Sequence, residues 1–296
     1  MSVLVHQLLL ALAVWALGAA GVRLAGQVSP GGLERMVVAV VLCATAIMIE
    51  TLGLGLVGLG ADPAALTAGT VVMYVAARLL LPSSGPGPGQ ELRELLARAS
   101  PGARLALGAA VGVLVSTAIF CAITPNIGVD GVGYHFPEVL SWIDSGHPGR
   151  IVNPIIGLPT GWYPLSNEVI LTWSMGISRS FVPTGLWMSV QLGLIMSAGW
   201  LGLRRLGVAP WTAALVLAAI LAGPDIAVEV NTPKNDIASL TWLITCGALV
   251  ARAVPDRSRL YPIAWLAAAL ALGSKTTSGP MVVVLLHYGA YRMRAW

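Results

Sequence analysis

Residues 36–58 read MVVAVVLCATAIMIETLGLGLVG, an apolar run broken by a single charge, Glu50. A helix that crosses a bilayer needs about 20 consecutive, mostly apolar residues, and this stretch meets that requirement. Eight further stretches repeat the pattern to either side, at 4–24, 64–81, 105–124, 184–203, 209–223, 237–250, 260–273 and 281–291. The expected fold is therefore all-α: a polytopic transmembrane helical bundle of about nine spans. The run at 4–24 is preceded and interrupted by His6 alone and lacks the positive n-region of a secretory signal, so it is expected to be a retained helix.

Composition agrees. Apolar types make up 56% of the 296 residues and charged types 10%, against roughly 25% charged in a soluble domain. The net charge of +4 is not a nucleic-acid footprint, because the basic residues stand singly or in pairs at segment ends. The odd number of cysteines, Cys43, Cys121 and Cys246, all inside apolar runs, argues against a disulfide framework. No phosphate-binding loop, dinucleotide fingerprint, zinc spacing or nucleophile elbow is present, and the glycines at 53–60 read as helix packing. The chain divides into three helices in 1–82, a Gly/Pro-rich linker at 83–103 with a short surface helix around 91–98, and a module from 104 to 296 with a long loop at 125–183.

Alternating the spans sorts the charge. Of the 17 basic residues, only Arg150, Arg179, Lys234 and Lys275 fall on one side, and the positive-inside rule makes the other side cytoplasmic. That orientation predicts an outer N-terminus, an inner C-terminus and a plasma (inner) membrane location. Asp62, Asp130, Glu138, Asp144, Glu168, Asp225, Glu229 and Asp236 gather outside. Asp62, Asp144 and Glu229 read as solvated loop ends. The loop at 125–183 is too long for a turn. Its stretches 138–143 and 165–177 read as amphipathic helices lying at the interface, with Trp142 as an anchor.

Inside this loop stand Asp130, Tyr134, His135 and Pro137, and later Tyr163-Pro164-Leu165. The next outer loop carries Thr232-Pro233-Lys234-Asn235-Asp236, and Gly273-Ser274-Lys275-Thr276 closes the following span. This order resembles the GT-C superfamily of membrane glycosyltransferases, in particular bacterial enzymes related to protein O-mannosyltransferases and the lipid A aminoarabinose transferase. A subgroup writes its first motif as Asp, three residues, Tyr-His, one residue, Pro. Many relatives carry Asp-Glu where Asp130 is followed here by Gly131. Relatives are also usually longer, so the chain reads as a fragment or a reduced homologue. The resemblance covers roughly 105 to 296 and leaves the first three helices without a counterpart.

The resemblance implies transfer of a sugar from a polyprenyl-phosphate carrier to a cell-envelope acceptor on the outer face, with membrane lipids and other membrane proteins as further partners. Asp130 is expected as general base, a role that needs hydrogen-bond reach of the acceptor. Asp236 would position the acceptor or join Asp130 around a divalent metal such as Mg or Mn. Tyr134, His135, Lys234 and Lys275 are expected to bind substrate, Lys275 facing the lipid phosphate. Each has a plainer reading: Asp130 and Asp236 as helix caps, Lys275 as a snorkelling anchor, His135 as a hydrogen-bonded loop residue, His147 as a solvated one. Glu50, inside a span, marks either a functional site or a pairing with a polar neighbour. A transporter and a non-catalytic assembly subunit are the alternatives. The first calls for facing charges and broken helices at the midplane.

Overall fold

The computed structural model describes residues 2–29, 31–82, 85–124, 128–153, 157, 159–230, 232–254 and 259–294. Arg257, the linker residues 83–84 and the loop residues 125–127 and 154–156 lie outside them. Among the described residues the chain is all helical. Its elements are α1 (Val3–Ala25), α2 (Gly32–Gly55), α3 (Pro63–Leu80), α4 (Pro88–Arg98), α5 (Pro101–Ile123), α6 (Gly128–Asp130), α7 (Phe136–Ser145), α8 (Ser166–Ser178), α9 (Val182–Arg205), α10 (Pro210–Leu221), α11 (Pro224–Glu229), α12 (Asn235–Ala253), α13 (Leu260–Ser274) and α14 (Gly279–Arg294). Six of these, α1, α2, α3, α5, α9 and α12, are long and apolar enough to cross a membrane; a 23-residue helix such as α1 spans about 35 Å at 1.5 Å per residue. α10, α13 and α14 are shorter and complete the nine expected segments. This is a membrane protein.

Local sequence sets the boundaries. Proline occupies the first turn of α3, α4, α5, α7, α9, α10 and α11, where its missing N–H costs nothing. Asp62 caps α3 by accepting from the Ala65 N–H at 2.8 Å, and Ser100 caps α5 through Ala103 at 3.2 Å.

Contacts at the helix ends define two ends of the bundle. At one, Arg23 donates to the Leu81 carbonyl at 2.6 Å, Arg252 pairs with Glu34 at 2.5 Å, and Arg35 pairs with Glu91 of α4 at 2.9 Å. At the other, His6 bonds the Ile177 carbonyl at 3.0 Å, Arg179 donates to the Ala61 carbonyl at 3.3 Å, and His147 bonds the Gly55 carbonyl at 2.7 Å. His147 is thus a tether between α7 and α2, not a solvated residue. Gly146, at φ +73°, ends α7 so close to the turn after α2 that an added Cβ would fall 2.0 Å from the Gly58 carbonyl oxygen.

The loop helices sit differently from the sequence expectation. All 13 residues of α8 are buried, surrounded by α1, α2, α3, α7, α9 and α13. Trp142, expected as an interfacial anchor, is buried and donates its indole N–H to the Arg150 carbonyl at 2.8 Å. The polar face of α8 meets other polar groups of the protein instead of water. Asn167 gathers the Trp187 indole at 2.8 Å and the Gln191 amide at 3.2 Å. Trp173 donates to Glu50 at 2.8 Å. Glu50, which also faces the Thr70 hydroxyl at 3.2 Å, therefore joins α2 to α3 and α8, the pairing reading. The main core runs through α1, α2, α8, α9, α12 and α13, whereas α5 buries Cys121 alone and packs chiefly on α9.

Candidate functional site

A cleft of about 230 Å³ opens at the end of the bundle where α7 and α8 lie, and Asp130, Tyr134, His135, Lys234, Asp236 and Lys275 all line it. The six residues singled out from sequence, scattered over more than a hundred positions, share one site.

The first three come from an unusual turn. Gly128–Asp130 and Phe136–Ser145 are joined through a π-helical turn at Gly131–His135, in which the Phe136 N–H reaches the Gly131 carbonyl five residues back. Pro137 lacks an N–H, and its ring would crowd the carbonyl four residues earlier. Gly131 and Gly133 hold an ordinary helix weakly. The widened turn relieves both. Wide turns of this kind recur at functional sites. The Tyr134 and His135 rings lie 4.1 Å apart, tilted by 38°, and Tyr163 meets the edge of Tyr134 at 5.9 Å.

Asp130 and Asp236 face lysines. Among the described residues Asp130 makes no side-chain cap hydrogen bond; α12 begins after an extended Lys234 (φ −65°, ψ 157°), and Asp236 pairs with Lys275. Lys275 stands in the extended residue that ends α13, ahead of the 3₁₀ turn Thr276–Ser278. Lys234 faces Asp130 at 3.6 Å and Glu229 at 2.9 Å. Glu229, expected as a solvated loop end, is therefore an ion-pair partner. Hydrogen bonding to Glu229 raises the Lys234 ammonium above its usual range; burial, the next effect, opposes it, and the Glu229 and Asp130 charges add to the rise. Burial first, and the Asp130 and Glu168 charges next, push the Tyr134 phenol up to about 12. It stays a neutral donor. Crossed bonds hold the two rims together: the Asn235 amide donates to the Pro164 carbonyl at 3.2 Å, and the Asn167 amide to the Pro233 carbonyl at 3.1 Å.

Behind the cleft lie two acids that sequence reasoning placed outside but gave no role. Glu168 and Glu138 are both fully buried. Glu168 contacts the His135 imidazole at Nδ1, and the Glu138 carboxyl lies beside the Thr160 hydroxyl. Burial, and then the Glu168 charge, push the Glu138 carboxyl up to about 8. A glutamate in the apolar run at 165–177 was the available signal, since charged residues are almost never fully buried unless paired.

The metal expected between Asp130 and Asp236 does not fit the side chains. Each carboxylate faces a lysine ammonium, and among the described residues no group of three or more His, Cys, Asp or Glu is placed to hold a metal ion.

A second, apolar groove of about 680 Å³ runs between α1, α2, α5 and α9 and is lined by residues such as Leu10, Val14, Leu114, Trp173 and Trp187. Trp187 walls the groove and, through Asn167 and Pro233, ties to the loop that carries Lys234.

No family model, curated protein or solved structure matches this chain.

Proposed function

We propose that the protein transfers a sugar from a polyprenyl-phosphate carrier to a cell-envelope acceptor at the extracytoplasmic face of the plasma (inner) membrane. The observation that carries this reading is the cleft itself. Two carboxylates, two ammonium groups and aromatic rings converge at one end of an apolar bundle, and the same bundle carries an apolar groove of about 680 Å³ between its helices.

The cleft lies at the end poor in arginine, and the positive-inside rule turns that end outward. Lys275, with Thr276 and Thr277 on the same wall, suits a single phosphate, since an ammonium is a compact charge. Its bond to Asp236 is half-exposed; such pairs contribute little, about 0–1 kcal/mol, so an incoming phosphate can take the lysine over. Asp130 then receives the acceptor hydroxyl, and Asp236 orients it. Tyr134 and Tyr163 offer rings to the sugar faces.

The test is transfer by the purified protein in nanodiscs supplied with polyprenyl-phosphate hexoses. Asp130→Asn and Asp236→Asn are expected to lower the rate by about 10² through lost alignment of the acceptor hydroxyl, with donor binding intact. Lys275→Gln is expected to weaken donor binding in a folded protein. A wild type that moves no sugar from such donors overturns the reading; full rates in both Asn variants remove the carboxylates from the chemistry.

A further inference from the structure

Four observations concern the wall of the cleft behind Tyr134. His135 lines the cleft yet is only 2% exposed. Its Nδ1 contacts a carboxylate oxygen of Glu168, and Glu168 is 0% exposed. Among the described residues no hydrogen bond engages Nε2. Glu138, one helical turn further on, is also 0% exposed and lies beside the Thr160 hydroxyl.

A buried carboxylate beside one imidazole nitrogen sets the tautomer. The proton sits on Nδ1, where Glu168 accepts it, and Nε2 keeps its lone pair. Such a carboxylate also stabilises the imidazolium once Nε2 gains a proton, the logic of nucleophile-activating dyads and triads. Asp130 is differently placed. It is half-exposed and faces the Lys234 ammonium, so it is suited to aligning a hydroxyl. The charged groups around the imidazole are Glu168 on α8, Glu138 on α7, Asp130 before its own turn, Lys234 and Asp236 at the head of α12, and Lys275 after α13.

We infer that His135, oriented by Glu168, is the proton acceptor of this site, a role that rests on the sugar-transfer reading above. The acceptor oxygen forms a bond to the anomeric carbon. The bond from that carbon to the phosphate oxygen breaks, and its electron pair leaves with the phosphate. The acceptor's proton passes to Nε2 of His135, and Glu168 balances the imidazolium until the proton returns to water through the cleft. Glu168 is a positioning residue that touches no substrate. Glu138, its carboxyl pushed up to about 8 by burial and then by the Glu168 charge, is mostly protonated near neutral pH and there adds no second buried negative charge to the pair.

The experiment is the pH profile of kcat for the full-length protein in nanodiscs, with a polyprenyl-phosphate hexose as donor. The profile is taken over about pH 5–8, and the wild-type rate is expected to fall toward its acid end, because a general base works only in its unprotonated form. His135→Asn places an amide N–H where Nδ1–H stood, so it keeps the Glu168 bond and removes Nε2. It is expected to lower kcat by about 10²–10⁴ and abolish the acid limb, while donor binding and Tm stay at wild-type values. Glu168→Gln, which offers the imidazole an amide in place of a charge, is expected to lower kcat and move the acid limb. A wild-type kcat flat across that window overturns the dyad whatever the variants do, and so does an acid limb unchanged in His135→Asn. A wild type with no transfer at all counts against the sugar-transfer reading; normal transfer with an unchanged limb counts against the dyad alone.

Discussion

At the scale of single residues, surroundings separate side chains that sequence treats alike. Asp62 and Asp236 both stand at the head of a helix. Asp62 caps its helix, while Asp236 turns to Lys275, because the end of α13 lies against that corner and Lys234 takes the cap position. Glu138 shows the same dependence. Its carboxyl sits at about 8 in the fold, raised by burial and then by Glu168, against about 4.3 in an unfolded chain. Between those values the folded state holds a proton that the unfolded state has lost. Stability therefore falls as pH rises across that window and is level on either side. Glu138→Gln removes the titration. Its Tm should gain on the wild type progressively from about pH 5 to about pH 8 and hold a constant difference above that. Thermal unfolding in detergent over this range checks it, and a Tm difference independent of pH contradicts it.

At the scale of elements, α8 is the pillar on which the site is built. It carries Asn167 toward the head of α12, Glu168 toward His135 and Trp173 toward Glu50. Its alternating pattern reads as an interfacial helix, because a polar face that meets buried polar partners has the same periodicity as one that meets water. The two-faced pattern of α8 was legible; the enclosure of both faces by protein was not. The Trp173–Glu50 bond matters to the packing of α8 on α2. The Thr70 hydroxyl also faces the Leu66 carbonyl at 2.8 Å and has one proton to give, so the Trp173 indole is the committed donor. Trp173→Phe should destabilise the protein by about 1–3 kcal/mol, the cost of leaving a buried acceptor unsatisfied. In a Glu50→Leu background the same substitution should cost much less. A double-mutant cycle of Tm values measures this, and equal losses in both backgrounds would separate the two residues energetically.

At the scale of the whole molecule, the helices present two unlike ends. One is cross-tied by arginines 23, 35 and 252; the other holds the cleft, where the described basic residues are lysines. The charge sorting predicts opposite compartments for Gly87 and Gly157, both exposed. A single cysteine introduced at Gly157 should react with an impermeant thiol reagent in intact cells, and one at Gly87 only after permeabilisation. Labelling of both in intact cells would undo the topology and, with it, the outward placement of the cleft.

The membrane class and the helix segments were legible in sequence, because apolar runs of spanning length and charges at their ends follow from the solvent, and the solvent acts on each segment separately. The site residues were singled out by motifs that resemble those of GT-C glycosyltransferases, which lie at the outer ends of the segments. Which of them pair was decided by tertiary structure alone. Lys275 meets Asp236 across 39 positions and His135 meets Glu168 across 33, contacts that depend on how α7, α8, α12 and α13 pack. The burial of α8 was decided in the same way. A carboxylate such as Glu168 is an outer-loop acid in sequence and an enclosed partner of an imidazole in the fold, because burial is a property of the neighbours and not of the segment.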